Sequence, residues 1–133
     1  MWELYGLEDE DILWTGVAFL GGIAGEQSGP CGAVSAATVC AGLGNRCPLS
    51  DKQAAKRARF QARAQAGELV RAFKERFGSI ACRDLVGIDF SQPGAYHGFV
   101  ESGIWEDKCK RYVQFMIEKL YELEKERGAA PEL

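Results

Sequence analysis

The stretch from residue 50 to residue 78 carries the signals of one long helix, and these signals constrain the fold more than any others. Ser50 and Gln53 stand three residues apart, as in a capping box. Gly78 follows the last apolar residue and is suited to end the helix. The apolar positions recur every three or four residues and predict one buried stripe, which consists of Ala55, Ala58, Ala62, Ala66, Leu69, Phe73 and Phe77.

Helix signals dominate the rest of the chain as well, and no segment shows the alternation of a strand. We predict further helices over residues 8–23, 30–41, 80–86 and 104–127, with a loop over residues 88–103. The first of these helices should be central and largely buried, because its apolar residues surround it almost completely: Ile12, Leu13, Trp14, Val17 and Leu20. We therefore expect an all-α, single-domain bundle of about five helices over residues 1–133, with residues 128–133 frayed.

A glycine-rich turn leads into the second helix and delivers a cysteine to its start. Pro30 suits the first helical position, where an N–H group would have no partner. Cys31 would then lie in the first turn, where free N–H groups and the helix dipole favour an anion. Such a position should lower the pKa of the thiol and make it nucleophilic or metal-binding. We expect Gly29 and Gly32 to shape the approach to Cys31.

Five cysteines and one histidine limit the kinds of site the chain can form. The chain lacks the C-x-x-C and Cys–His spacings of zinc fingers, thioredoxin-like proteins and c-type haem proteins. Cys82 is predicted near another helix start, whereas Cys109 begins an apolar stripe. Cys40 should point away from Cys31, and Cys47 falls in a loop. Each cysteine is also consistent with a small buried hydrophobic residue.

Charge and hydropathy narrow the choice of partner and compartment. The net charge of −3 argues against a general nucleic-acid-binding protein. The basic residues Lys52, Lys56, Arg59 and Arg63 form either a solvated face or a site for an anionic partner. The apolar run from residue 12 to residue 24 is too short to cross a bilayer, and no signal peptide is evident. We therefore expect a cytoplasmic protein that does not contact membranes.

Three blocks of sequence carry a resemblance to a known family. They are residues 19–25 leading into residues 31–36 and 42–44, residues 73–87, and Cys109 with Val113. In this order the blocks resemble the redox-active family named for its C-GCAxxG-C-C cysteine pattern. Cys31, Cys82 and Cys109 occupy the motif positions. The family's first cysteine lies upstream of the glycine-rich block, and no cysteine precedes Cys31 in this sequence.

The resemblance implies electron transfer or thiol redox chemistry at Cys31, Cys82 and Cys109. It makes these three residues the expected catalytic cysteines and the expected ligands of an iron–sulfur cluster or a metal, beside Gly29 and Gly32 as cofactor-binding residues. The expected partner is an electron-transfer protein. The alternative is a non-catalytic interaction module with a degenerate cysteine site. For either function we expect a homodimer, and the alanine face between residues 55 and 66 could supply the contact.

Overall fold

The structure, a computed structural model, describes residues 3–129 and is all-α, as expected. Within that range the chain forms six α-helices: α1 (Asp11–Trp14), α2 (Gly32–Gly44), α3 (Lys52–Phe77), α4 (Cys82–Val86), α5 (Ala95–Glu101) and α6 (Lys110–Ala129). A 3-10 helix spans Val17–Phe19, and a π-helical segment, Trp105–Cys109, leads directly into α6. The predicted frayed tail begins inside α6, and its residues 130–133 lie outside the described range.

The core forms where α2, α3 and α6 pack against one another. Phe73 of α3 is fully buried at the centre. Its ring packs against those of Phe77, Tyr112 and Phe115 at centroid distances of 4.8–6.2 Å, mostly edge to face. On α2 the buried residues include Ala37 and Ala41. Side chains this small allow the neighbouring helices to approach α2 closely, which the composition of this helix predicted.

The long helix predicted from the sequence is α3, and its end is confirmed. Gly78 has φ +85° and its N–H donates to the carbonyl of Lys74, which closes the last turn. The predicted N-cap, Ser50, is wrong by one residue. Asp51 caps the helix instead, because its Oδ1 accepts a 2.9 Å hydrogen bond from the N–H of Ala54. In the alanine stripe, Ala55 is buried and the other three alanines are half-buried.

The prediction of a buried helix over residues 8–23 is wrong. Only α1 and the short 3-10 helix form there, and Trp14 and Leu20 are 74% and 71% exposed. Positive φ angles from Gly21 through Gly25 fold the chain into tight turns in place of a further helical turn. The physical reason is the glycine content, since glycine disfavours helix interiors and readily adopts these left-handed conformations.

The boundaries of the remaining helices differ from the predicted ones by only a few residues, apart from one helix that was not predicted. α2 begins at Gly32, so that Cys31 is its N-cap, and it continues past the predicted end to Gly44. Cys82 is the first residue of α4, not the third. The predicted loop over residues 88–103 contains α5, whose glycine-flanked sequence hid the helical pattern. Across the described residues, no helix combines the length and apolar character needed to cross a lipid bilayer.

Candidate functional site

A short backbone pairing brings Cys31 and Cys82 to the same place. Pro30 and Ala81 form an isolated antiparallel β-bridge. Around it, the N–H of Cys31 donates to the carbonyl of Ile80 at 2.7 Å, and the N–H of Cys82 donates to the carbonyl of Gly29 at 3.1 Å. Cys31 follows the bridged Pro30 and directly precedes α2, and Cys82 follows the bridged Ala81 and begins α4. The bridge therefore fixes the starts of α2 and α4 relative to each other.

Gln27 holds the loop that follows α4. It is 1% exposed and has φ +60°. Its side-chain Nε2 donates to the carbonyl of Ile88 at 2.8 Å, and its Oε1 accepts from the N–H of Phe90 at 2.7 Å. Its backbone carbonyl accepts a 3.1 Å hydrogen bond from the N–H of Arg83 in α4. Gln27 thus joins the glycine-rich turn to α4 through its backbone and to the loop beyond α4 through its side chain.

The segment that carries Cys109 is tied to α4 by two side chains. Lys108 Nζ donates to the carbonyls of Leu85 and Val86 at 3.3 and 3.2 Å. The hydroxyl of Tyr112 donates to the Leu85 carbonyl at 3.2 Å. These carbonyls lie in the last turn of α4, where backbone acceptors lack helical partners. The hydrogen bonds therefore position the π-helical segment, and Cys109 within it, against the helix that begins at Cys82.

The three motif cysteines line one apolar cavity of about 590 Å³. Cys31 and Cys109 are half-buried and Cys82 is buried. Much of the remaining wall is apolar or aromatic and includes Leu85, Val86, Phe90, Phe99, Trp105, Tyr112 and Met116. A volume of this size is typical of small-molecule sites. The structure thus places all three motif cysteines along the wall of one cavity.

Cys40 also lines the cavity, which the sequence did not predict. Its helical spacing from Cys31 suggested that the two point in opposite directions, but the cavity is broad enough to reach both. Cys47 does not line this cavity and lies half-buried in the loop after α2. Gln27 and Phe90 were missed as well, because nothing in the sequence links a turn residue to a loop so far along the chain.

Burial raises the pKa of all three motif thiols. For Cys31 the loss of solvation outweighs the N–H groups of Ala33 and Val34, which act in the opposite direction. For Cys82 burial comes first, followed by repulsion from Cys31, and a hydrogen bond from the Gln27 side chain opposes both. For Cys109 burial is followed by repulsion from the other two cysteines. The prediction of a lowered pKa at Cys31 is therefore wrong, because the helix N-terminus does not offset the apolar surroundings.

The glycines of the turn serve close packing around the cysteines. At Gly22, which has φ +69°, a Cβ atom would come within 2.8 Å of the Cβ of Cys82. A Cβ on Gly29 would come within 2.9 Å of the Gly22 carbonyl, and one on Gly32 within 3.3 Å of the Phe19 carbonyl. Gly32 lines the cavity, whereas Gly29 contributes the carbonyl that accepts from Cys82.

The donor set does not fit a single metal ion in this arrangement. Among residues 3–129, no three histidine, cysteine, aspartate or glutamate side chains come together as a group that could hold one. Thiolate ligands lie about 2.3 Å from zinc, which requires the sulfur atoms to converge on one point. Cys31, Cys82 and Cys109 share a cavity without converging in that way. These three residues therefore do not form a site for a single metal ion within the described range, and we derive no chemistry through a metal ion or a cluster.

Comparison with known proteins identifies the family. No curated protein and no solved structure matches the chain. The model of one protein family matches residues 1–123, and its description reads "Putative redox-active protein (C_GCAxxG_C_C)". The match covers the glycine-rich turn, the bridge and all three motif cysteines. The chain belongs to the C_GCAxxG_C_C family of redox-active proteins.

Proposed function

We propose that this protein performs thiol redox chemistry, with Cys31, Cys82 and Cys109 as the reacting residues. The observation that carries the proposal is that three cysteines from separate elements line the same apolar cavity. Hydrogen bonds between these elements support it, because they hold the cysteine-bearing segments in a fixed arrangement. The family match supports a redox role in general.

The reaction that fits this arrangement is thiol–disulfide exchange with a disulfide-bearing redox partner protein. One cavity thiolate attacks a sulfur of the partner's disulfide, which forms a mixed disulfide and expels the first partner thiolate. A second cavity thiolate then attacks the mixed disulfide and expels the other. Two cavity cysteines are thereby oxidised to one disulfide and the partner's disulfide is reduced to two thiols, which take up the two protons that the cysteines lose.

The raised pKa values bear on the selectivity of this exchange. A thiol reacts as its thiolate, so a raised pKa keeps Cys31 and Cys82 largely protonated near neutral pH. Small oxidants in bulk solvent should then react slowly with the cavity, so their reaction has to be followed to equilibrium and not judged by its initial rate. The reaction would proceed with a partner that enters the cavity and stabilises the thiolate there.

Oxidation followed by mass spectrometry tests the proposal. The reduced protein is incubated with oxidised glutathione, its remaining thiols are alkylated, and its disulfides are mapped. We expect two alkylatable thiols to disappear and one disulfide to form between two of Cys31, Cys82 and Cys109. A Cys47→Ser variant, which changes a cysteine outside the cavity, should give the same product.

Two results would contradict the proposal. The first is a protein in which all five cysteines stay reduced or in which Cys47 is oxidised first; this result would favour the interaction module. The second is a protein purified without oxygen that holds iron and acid-labile sulfide and loses both in Cys31→Ser. That result would instead assign the three cysteines to an iron–sulfur cluster, which is commonly held by four thiolates.

A further inference from the structure

We propose that a second copy of this chain packs over the mouth of the cysteine cavity. Two exposed apolar features include residues that line this cavity, namely Leu20 in the first and Val113 and Ile117 in the second. The first, the N-terminal ridge, consists of Leu13, Trp14, Val17 and Leu20. The second, the α6 stripe, consists of Val113, Ile117 and Tyr121, which are spaced four residues apart and therefore share one face of the helix.

The two features belong to one continuous surface. Val113 and Ile117 line the cysteine cavity together with Leu20. Leu20 also lines a second apolar depression of about 530 Å³, which Leu13 and Val17 border as well. Leu20, Gly32, Ala36 and Cys40 are common to both depressions. The apolar lining thus runs from Leu13 and Val17 through Leu20 and α2 to Val113 and Ile117, while Trp14 and Tyr121 belong to the same exposed segments but line neither depression.

The extent of this surface matches what a stable dimer requires. Its seven large side chains are between 41% and 74% exposed. With about 200 Å² for a fully exposed large side chain, they present roughly 800 Å² of mainly apolar surface. A standard protein–protein interface buries about 800 Å² on each partner. Monomeric proteins seldom leave a contiguous apolar surface of this size in contact with water.

The absence of charge from this surface favours a second copy over a partner recognised by charge. Among residues 3–129, no charged side chain lines either of the two depressions. A charged partner would need complementary charges here to set its orientation. Two identical chains of net charge −3 can meet at such a surface without placing like charges against each other.

A two-fold dimer could use both parts of this surface. It contains the most exposed of these apolar side chains, on the N-terminal ridge, and a concave element, the cysteine cavity. In a two-fold dimer the ridge of each copy can occupy the cavity of the other, since such an interface uses the same patch on both sides. Each partner would then exclude water from the other's Cys31, Cys82 and Cys109. This inference does not depend on the proposed redox function, and a redox partner would reach the cavity only after the ridge of the second copy has left it.

Sedimentation of matched variants tests the dimer. Leu20→Glu changes the ridge and Ile117→Glu changes the α6 stripe. Phe60→Glu is the control, because Phe60 is as exposed as Leu20, 71%, but lies on α3 and lines neither depression. We expect wild type and Phe60→Glu to sediment as dimers at micromolar concentration. Each of the other two variants should weaken dimerisation by at least about tenfold while keeping the wild-type circular dichroism spectrum.

The cysteines provide a second readout that separates this inference from the redox proposal. Replacement of Cys31, Cys82 and Cys109 by serine should abolish disulfide formation but leave the dimer intact. In Leu20→Glu, alkylation of Cys31 and Cys109 should be faster than in wild type, because the cavity is open. A monomeric wild-type protein would overturn the inference. So would a dimer that survives both Leu20→Glu and Ile117→Glu, or one that Phe60→Glu disrupts.

Discussion

The backbone N–H of Cys31 donates a 2.7 Å hydrogen bond to the carbonyl oxygen of Ile80. This bond and its counterpart from Cys82 to Gly29 join two segments that are far apart in sequence. Because each segment leads directly into a helix, the pairing sets the relative position of two helix starts. The position of the cysteine at each helix start is therefore fixed by backbone hydrogen bonds and not only by side-chain packing.

Alanine at Gly22 should destabilise the fold and disturb the site. The new methyl group would meet Cys82 Cβ and the Cα of Gln27 at 2.8 Å, in a backbone conformation with positive φ. We expect Gly22→Ala to lower the free energy of unfolding by about 2–4 kcal/mol, combining backbone strain with overpacking. Urea denaturation measures this change.

Gly25→Ala is the matched control for this substitution. Gly25 also has a positive φ, +81°, but a Cβ there would have no neighbour within 4 Å. Gly25→Ala should therefore lower the free energy of unfolding only by the backbone strain, about 1–2 kcal/mol. Equal losses in the two variants would show that contact with Cys82 does not matter.

Leucine at Gln27 should loosen the loop after α4. The substitution leaves the Ile88 carbonyl and the Phe90 N–H without their hydrogen-bond partner. Each buried group left unpaired costs about 1–3 kcal/mol, so we expect a loss of at least about 2 kcal/mol in the free energy of unfolding. Gln114→Leu, which removes an exposed hydrogen bond to Glu118, should change stability by less than about 0.5 kcal/mol. Comparable effects of the two variants would disprove a special role for Gln27.

Stability should fall at alkaline pH because of the buried thiols. Burial raises the pKa of Cys31 and Cys82 above the ordinary value of 9.0, so the folded chain holds these protons more tightly than the unfolded chain. Stability is then complete below about pH 9 and decreases as the pH rises toward the folded-state pKa, by at most about 1.4 kcal/mol per pH unit for each thiol.

Urea denaturation between about pH 7.5 and about pH 10 measures this slope. Replacing Cys31, Cys82 and Cys109 together by serine should reduce the slope of stability against pH, whereas Cys47→Ser should leave that slope unchanged. A slope identical in wild type and in the triple variant would mean that other groups cause the alkaline loss.

The structure and the sequence pattern assign the N-terminal cap of α3 to different residues, and substitutions at both can tell which assignment is right. Asp51→Ala removes the carboxylate that accepts from the Ala54 N–H and should cost about 1 kcal/mol. Ser50→Ala removes the residue that the capping-box pattern favours and should have little effect. Urea denaturation of both variants decides the matter, and a larger loss in Ser50→Ala would support the sequence-based cap.

Local signals predicted α3 well, because a long amphipathic helix with a clear end needs little information from elsewhere. The periodic residues Leu69 and Phe73 are buried as expected, and Gly78 ends the helix. Local signals failed for residues 8–23, where apolar content suggested burial. There the glycines outweigh hydropathy, and side chains such as Trp14 remain exposed.

The sequence by itself determined the helical class and the long α3, which follow from periodicity and from residue types that act over a few neighbouring positions. Its resemblance to a family, and not its periodicity, singled out the three motif cysteines. Only the tertiary structure decided how the cysteines are arranged and how acidic they are. The Pro30–Ala81 bridge, the Gln27 side chain and the Lys108 contacts join distant segments, and burial in the cavity then raises the pKa of Cys31 where the helix start alone would lower it. Desolvation is a property of the packed cavity, so no local pattern can predict it.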